Sequence, residues 1–315
     1  MPFLHARTDQ TSGRGGHFPP GLPERLPGSR GPRHHQASRV HWCPILPSGL
    51  CPTLPSSFRQ GSSLTRRTYR NPPAIEAVCE FRFRQAEPWD TTIPFRLYDL
   101  LRESYSETPK QELTFAPPTS GPEQPGDIVQ GEVVPRVELR SSDGSRLLRV
   151  APGTLSVSVM APYPGWEDFR AQVIAALDAY RTTGGSQSVL RMGVRYINRI
   201  RLPQPSVELS DYFTVPPPSP SGLPENLGAF LSRQEFFYDD LPIVLILTVA
   251  SAPPSEAPQP HAEVILDLDV IQNWPEGESL DLADALPILE ALRTREREAF
   301  EACLTDATRK LFDNA

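Results

Sequence analysis

The 315-residue sequence predicts an α+β fold: a largely antiparallel sheet with amphipathic helices packed on one face and a long helix at the C-terminus. Three observations carry this expectation. Segments that alternate apolar and polar residues recur between residues 74 and 271, as half-buried strands do. Two stretches repeat instead with a 3.6-residue period, and the second of them closes the chain. An Asp143-Gly144 pair between two alternating segments signals a tight hairpin, which joins neighbours antiparallel.

The elements follow in order. In Ala74 to Arg84, residues Ile75, Ala77, Cys79, Phe81 and Phe83 share one face, and Glu76, Glu80, Arg82 and Arg84 the other. A short helix is expected over 95–105, a strand over 112–115 and a Pro/Gly/Ser loop over 117–126. Strands at 136–139 and 146–150 flank Ser141-Ser142-Asp143-Gly144, and 154–160 extends the sheet. Trp166, Phe169, Val173, Leu177 and Tyr180 then lie on one helical face, with Pro164 suited to the first turn and Gly184-Gly185 to the stop.

A long strand over 189–202 puts Met192, Val194, Tyr196, Ile200 and Leu202 on one side and four arginines on the other. A Pro-rich connection over 203–222 contains the anchor Asp211-Tyr212-Phe213. Strands at 228–238, 243–250 and 262–271 follow. Asp284 is expected to cap the last helix, with Ile288, Leu289, Leu292, Phe300, Cys303, Ala307 and Leu311 as its buried stripe.

Composition changes sharply near Tyr69. Residues 1–70 hold ten Arg and no Lys against Asp9 and Glu24, about +8, while the chain as a whole is −7, so residues 71–315 carry about −15. Residues 1–68 are rich in Arg, Pro, Gly and Ser and have no hydrophobic period, which predicts a disordered leader. No apolar run of signal-peptide length follows its start, Arg66-Arg67 leads into a strand, and the repeated Pro and Gly forbid the amphipathic helix of a transit peptide. His34-His35 leaves a metal-binding tail open. The preferred reading is a misassigned start, with the true one near Ser63. Residues 69–315 then form a single α+β domain, or two similar halves, 71–185 and 186–315.

Charge and cysteine usage narrow the function classes. A body at about −15 repels phosphate backbones, so no general nucleic-acid binding is expected. The longest apolar run, Leu241 to Ala250, is half the roughly 20 residues that a membrane span needs. Cys79 and Cys303 sit at apolar positions, where a free thiol packs as a small hydrophobe, and no CxxC or Cys/His metal spacing occurs. These features place the protein in the cytoplasm. There is no GxxxxGK[ST], GxGxxG, HExxH or GxSxG, and His261 is the only histidine after residue 68. An enzyme would have to rely on carboxylates, and the balance leans away from catalysis.

Asn71-Pro-Pro-Ala-Ile-Glu-Ala-Val, Arg191-Met-Gly-Val-Arg-Tyr-Ile-Asn-Arg-Ile, Asp211-Tyr-Phe, Ile265-Leu-Asp-Leu-Asp-Val and Phe300-Glu-Ala-Cys-Leu-Thr-Asp together resemble an uncharacterised, sporadically distributed bacterial protein family of about 250 residues. The resemblance covers residues 71–315. It implies an accessory role and carries no catalytic residue, because the family has no established activity.

The most suggestive constellation is Arg191, Arg195, Arg199 and Arg201 on one strand with Asp267 and Asp269 on another. Four guanidinium groups on one sheet face suit a small anion or a protein partner. Asp267 and Asp269, about 7 Å apart along one face, suit a shared divalent ion. The plain alternative is a solvated face of cross-strand ion pairs. The expectation is therefore a non-enzymatic interaction or regulatory module, without a cofactor, acting through a protein partner, self-association or a small anion. Its rival is a Mg²⁺- or Mn²⁺-dependent enzyme acting on a phosphorylated nucleotide through the two aspartates.

Overall fold

The computed structural model describes residues 67–85, 88–116, 132–217, 222, 224, 227–253 and 260–313. Residues 1–66 of the leader and the expected loop over 117–126 lie outside these residues.

The chain runs β1 (Ala74–Phe83), α1 (Ile93–Leu101), β2 (Lys110–Ala116), β3 (Glu132–Arg140), β4 (Arg146–Ala151), β5 (Thr154–Met160) and α2 (Trp166–Thr182). It continues with β6 (Ser188–Arg201), α3 (Leu209–Tyr212), β7 (Leu231–Phe237), β8 (Ile243–Ser251), β9 (Glu263–Asn273), β10 (Leu280–Asp281), α4 (Ala285–Cys303) and α5 (Asp306–Asp313). All ten strands belong to one sheet in the order β2-β3-β4-β5-β1-β6-β9-β8-β7, with β10 also on β6. Every pairing is antiparallel. The class read from the sequence is the one observed.

Alternation explains which face is covered. The apolar ranks Ala77, Cys79, Phe81 and Phe83 of β1, Met192, Val194, Tyr196 and Ile200 of β6, and Val264, Leu266, Leu268 and Val270 of β9 are all buried. They pack with Phe169, Val173 and Tyr180 of α2 and Leu289, Leu292 and Ala299 of α4 in one core. Each fully buried Val, Leu, Ile, Phe or Met among them contributes about 1.5–3 kcal/mol. The opposite face of the sheet carries the charged ranks.

Turn chemistry is as the Asp-Gly signal requires. Gly144 has φ +70°, and the Asp143 carboxylate accepts from Ser141 Oγ at 2.6 Å and from the Ser145 amide at 3.0 Å. Those hydrogen bonds hold the Asp143 carboxyl down at about 2.

Strand ends shift by up to a few residues, and the helix boundaries differ from expectation in ways that have a physical reason. Helix α1 starts at Ile93, because Pro94 needs no hydrogen-bonded amide in a first turn, and ends at Leu101 rather than 105. Pro164 stands outside α2, whose flanking residue is Gly165 at φ +104°. The cap before α4 is Asp281, which accepts from the Ala283 amide at 2.8 Å, whereas Asp284 makes no side-chain cap bond. The C-terminal helix also breaks. Leu304 is extended and bridges Phe213, so Ala307 and Leu311 belong to α5. The Asp211-Tyr212-Phe213 anchor is thus the wedge that divides the two helices.

No helix among the described residues is long and apolar enough to cross a membrane. Cys79 and Cys303 are buried free thiols.

Candidate functional site

The predicted arginines and aspartates do come together on the open face, each arginine against a carboxylate. Strand register sets Arg195 opposite Asp269 and Ile197 opposite Asp267. Arg195 reaches diagonally and grips Asp267 with two bonds, Nε–Oδ1 at 2.8 Å and Nη2–Oδ2 at 2.5 Å. Arg191 lies between Glu80 (Nη1–Oε1, 2.5 Å) and Asp269 (Nη2–Oδ2, 3.6 Å). Arg201 and Arg199 both approach Glu263, at 3.0 and 4.0 Å.

The pattern continues past β1, where Arg149 bonds Glu138 at 3.0 Å and approaches Glu76 at 3.5 Å. Gly193 leaves space for it: a Cβ there would come within 3.2 Å of Ile271 Cγ2 and 3.4 Å of Asp269 Oδ1.

Electrostatics follow this packing. Burial raises the Asp269 carboxyl, against the opposing pull of Arg191 and Arg195. Burial also pushes Glu138 up, but hydrogen bonds from Arg140 and Arg149 outweigh it and hold that carboxyl below its ordinary range. The face is largely an ion-pair lattice. At Arg191 and Arg195 an anion would have to displace a resident carboxylate, and a metal at Asp267 would have to displace Arg195, whereas Arg199 and Arg201, 42% and 71% exposed, share the single carboxylate of Glu263. Among the described residues, no group of three or more His, Cys, Asp or Glu side chains is placed to hold a metal ion. His261 sits at the end of the lattice, with Nε2 at 3.4 Å from Glu263.

The other face holds a feature that the sequence reading did not single out. A cavity of about 490 Å³ opens where α4, the start of α2, strand β6 and the segment 67–73 meet. At its wall lie Arg293 and Glu296, one helical turn apart on α4 and in direct ion-pair contact. The Glu296 side chain is 2% exposed. Burial raises its carboxyl to about 7, even though Arg293 and Arg297 pull it down. The Arg293 guanidinium lies 4.5 Å from the centroid of the Tyr196 ring and 5.5 Å from that of Trp166, within cation–π range.

Polar groups converge around this pair. The hydroxyls of Tyr163 and Tyr196 are 2.7 Å apart, and burial raises both phenols, so each stays a neutral donor. Asn198, 2% exposed, ties its amide nitrogen to the Leu266 carbonyl at 3.1 Å.

The segment 67–73 closes one side of the cavity and is clasped by the end of the chain. The Asn71 amide donates to the Phe312 carbonyl at 3.0 Å, Tyr69 Oη donates to Glu301 at 2.8 Å, and Tyr69 sets its ring edge-on to Phe312 at 5.2 Å. Arg297 donates to the Arg67 carbonyl.

A signal for this site was present. Glu296 stands on the same stripe as Leu289, Leu292, Ala299 and Cys303, and Asn198 interrupts the apolar rank of β6. A charge or amide at a core position is the informative exception to apolar burial. No protein-family model matches the chain, and no curated protein matches it. The likeness to a bacterial family therefore remains an expectation drawn from the sequence.

Proposed function

We propose that the protein is a non-enzymatic interaction or regulatory module of the cytoplasm, and that it binds a small organic anion in the cavity beside Arg293. The observation that carries this reading is the ion pair of half-buried Arg293 with buried Glu296 at that cavity, the Arg293 guanidinium lying against the rings of Trp166 and Tyr196. A volume of about 490 Å³ is in the range of small-molecule sites, as is a lining of aromatic rings with a few convergent polar groups.

Glu296 acts as a resident counter-anion. A carboxylate or phosphate that takes its place on Arg293 leaves Glu296 free to take up a proton, which its raised affinity favours near neutral pH. Binding is then coupled to proton uptake and tightens as pH falls. Buried, reduced Cys79 and Cys303 support an intracellular setting.

The test is calorimetric titration with benzoate-type acids and nucleoside monophosphates, in two buffers of different ionisation enthalpy. Saturable binding whose heat depends on the buffer, and its loss in Arg293→Met, is the expected result. Binding that survives in Arg293→Met, or none with either class, overturns the reading. The rival metal-dependent enzyme requires Asp267 and Asp269 to leave Arg195 and Arg191. It predicts nucleotide turnover with Mg²⁺ or Mn²⁺ that Asp267→Asn with Asp269→Asn abolishes.

A further inference from the structure

Strand β7, Leu231–Phe237, ends the strand order, so one of its edges meets no further strand among the described residues. Bonds at its two ends fix which amides face that edge. Tyr238 N donates to the Ile243 carbonyl and Ser251 N to the Phe230 carbonyl, so the even-numbered residues of β7 bond to β8. The N–H and C=O groups of residues 231, 233, 235 and 237 therefore point outward. Leu231 and Phe237 are 73% and 72% exposed on the open face, and Phe236 is 43% exposed on the other.

Exposed sheet edges are normally blunted by proline, by charged side chains (lysine above all) or by a bulge. The segment Leu-Ser-Arg-Gln-Glu-Phe-Phe has no proline and no lysine, its register with β8 runs unbroken, and its two charges, Arg233 and Glu235, are of opposite sign and so can be met by a complementary strand.

The sequence of the strand says what would fit. When two copies of β7 pair antiparallel about a two-fold axis at Gln234, Arg233 falls opposite Glu235 of the other copy, and Leu231 falls opposite Phe237. These are the residues whose backbone groups face outward, so they also form the hydrogen-bonded pairs. Moving the axis to residue 233 sets Arg against Arg, and moving it to 235 sets Glu against Glu. One register alone among these satisfies charge, apolar contact and backbone together.

Arg233 and Glu235 already pair within the strand at 3.1 Å, so a dimer would close a ring of four alternating charges. We infer that the protein is an isologous homodimer in which β7 pairs with β7 of a second copy, making one continuous sheet across both subunits.

Charge reversal tests this without touching the core. Light scattering of the full chain should give twice its 35.0 kDa mass. Arg233→Glu alone and Glu235→Arg alone should each be monomeric, since each sets like charges opposite in the homodimer. Mixed together, the two variants should recover the dimer mass, because their strands are complementary to each other. Far-ultraviolet circular dichroism should match the native protein throughout, since both side chains are exposed. A monomeric native protein, or a dimer that survives both single reversals, overturns the inference. So does an open-ended series of oligomers, which would indicate head-to-tail pairing, or monomeric variants that do not recombine.

Discussion

Replacing Glu296 by Gln keeps the size and hydrogen-bonding capacity of the side chain and removes its ionisation. The consequence can be worked out from its raised carboxyl. Between the ordinary value of 4.5 and the folded value of about 7, the folded protein holds a proton that the unfolded chain releases. Stability contributed at this site is therefore fully present below 4.5, falls as pH rises, and is lost above about 7. The span of the shift, at 1.36 kcal/mol per pH unit, corresponds to about 3 kcal/mol.

E296Q should thus match the native protein near pH 4.5 and exceed it by about 3 kcal/mol at pH 8. For a body of this size that is roughly 6–12 °C in melting temperature. The gain runs against the intuition that breaking an ion pair weakens a protein. It follows because desolvation of a fully buried carboxylate outweighs its attraction to Arg293. The assay is urea denaturation of both proteins at several pH values, compared as a difference so that other titrating groups cancel. Parallel pH profiles, or an E296Q protein that is less stable at pH 8, would refute the reasoning.

Three further outcomes are expected. A double-mutant cycle of Arg195→Ala with Asp267→Ala should give a coupling of about 0.2–1 kcal/mol, because Arg195 is 46% exposed and the pair is partly screened. Gly185→Ala should cost about 1–3 kcal/mol in urea denaturation, since its Cβ would fall 2.4 Å from Cζ of the fully buried Tyr180 ring. At pH 8 iodoacetamide should leave Cys79 and Cys303 unmodified in the native protein and modify both in denaturant, as peptide mapping would show. Burial pushes the Cys303 thiol up to about 12 and raises Cys79 as well.

Much of the architecture was legible because alternation is a local property. The ranks of β1, β6 and β9 announce both their strand character and their buried sides without reference to a partner. The break at Leu304 was not legible. The helical period continues through Ala307 and Leu311, and only Phe213, some ninety positions earlier, interrupts it. The open face was half legible. Its arginines and aspartates were visible, but the diagonal grip of Arg195 on Asp267 depends on a strand register that periodicity does not contain. The cavity was hidden for a different reason. Its walls come from residues near 70, 163, 196 and 296, and no short window of sequence holds more than one of them.

The clasp between Asn71 and Phe312 has a consequence for the life of the chain in synthesis. Strands β1 to β9 can pair as they emerge, but Arg293 and Glu296 follow all of them in the chain, and Glu301 and Phe312, which hold segment 67–73 in place, come later still. A nascent chain would thus carry a nearly complete sheet before it has a closed cavity. The wall formed by segment 67–73 would be set only once Glu301 and Phe312 have docked against it, which makes this cavity the last part of the described fold to be completed.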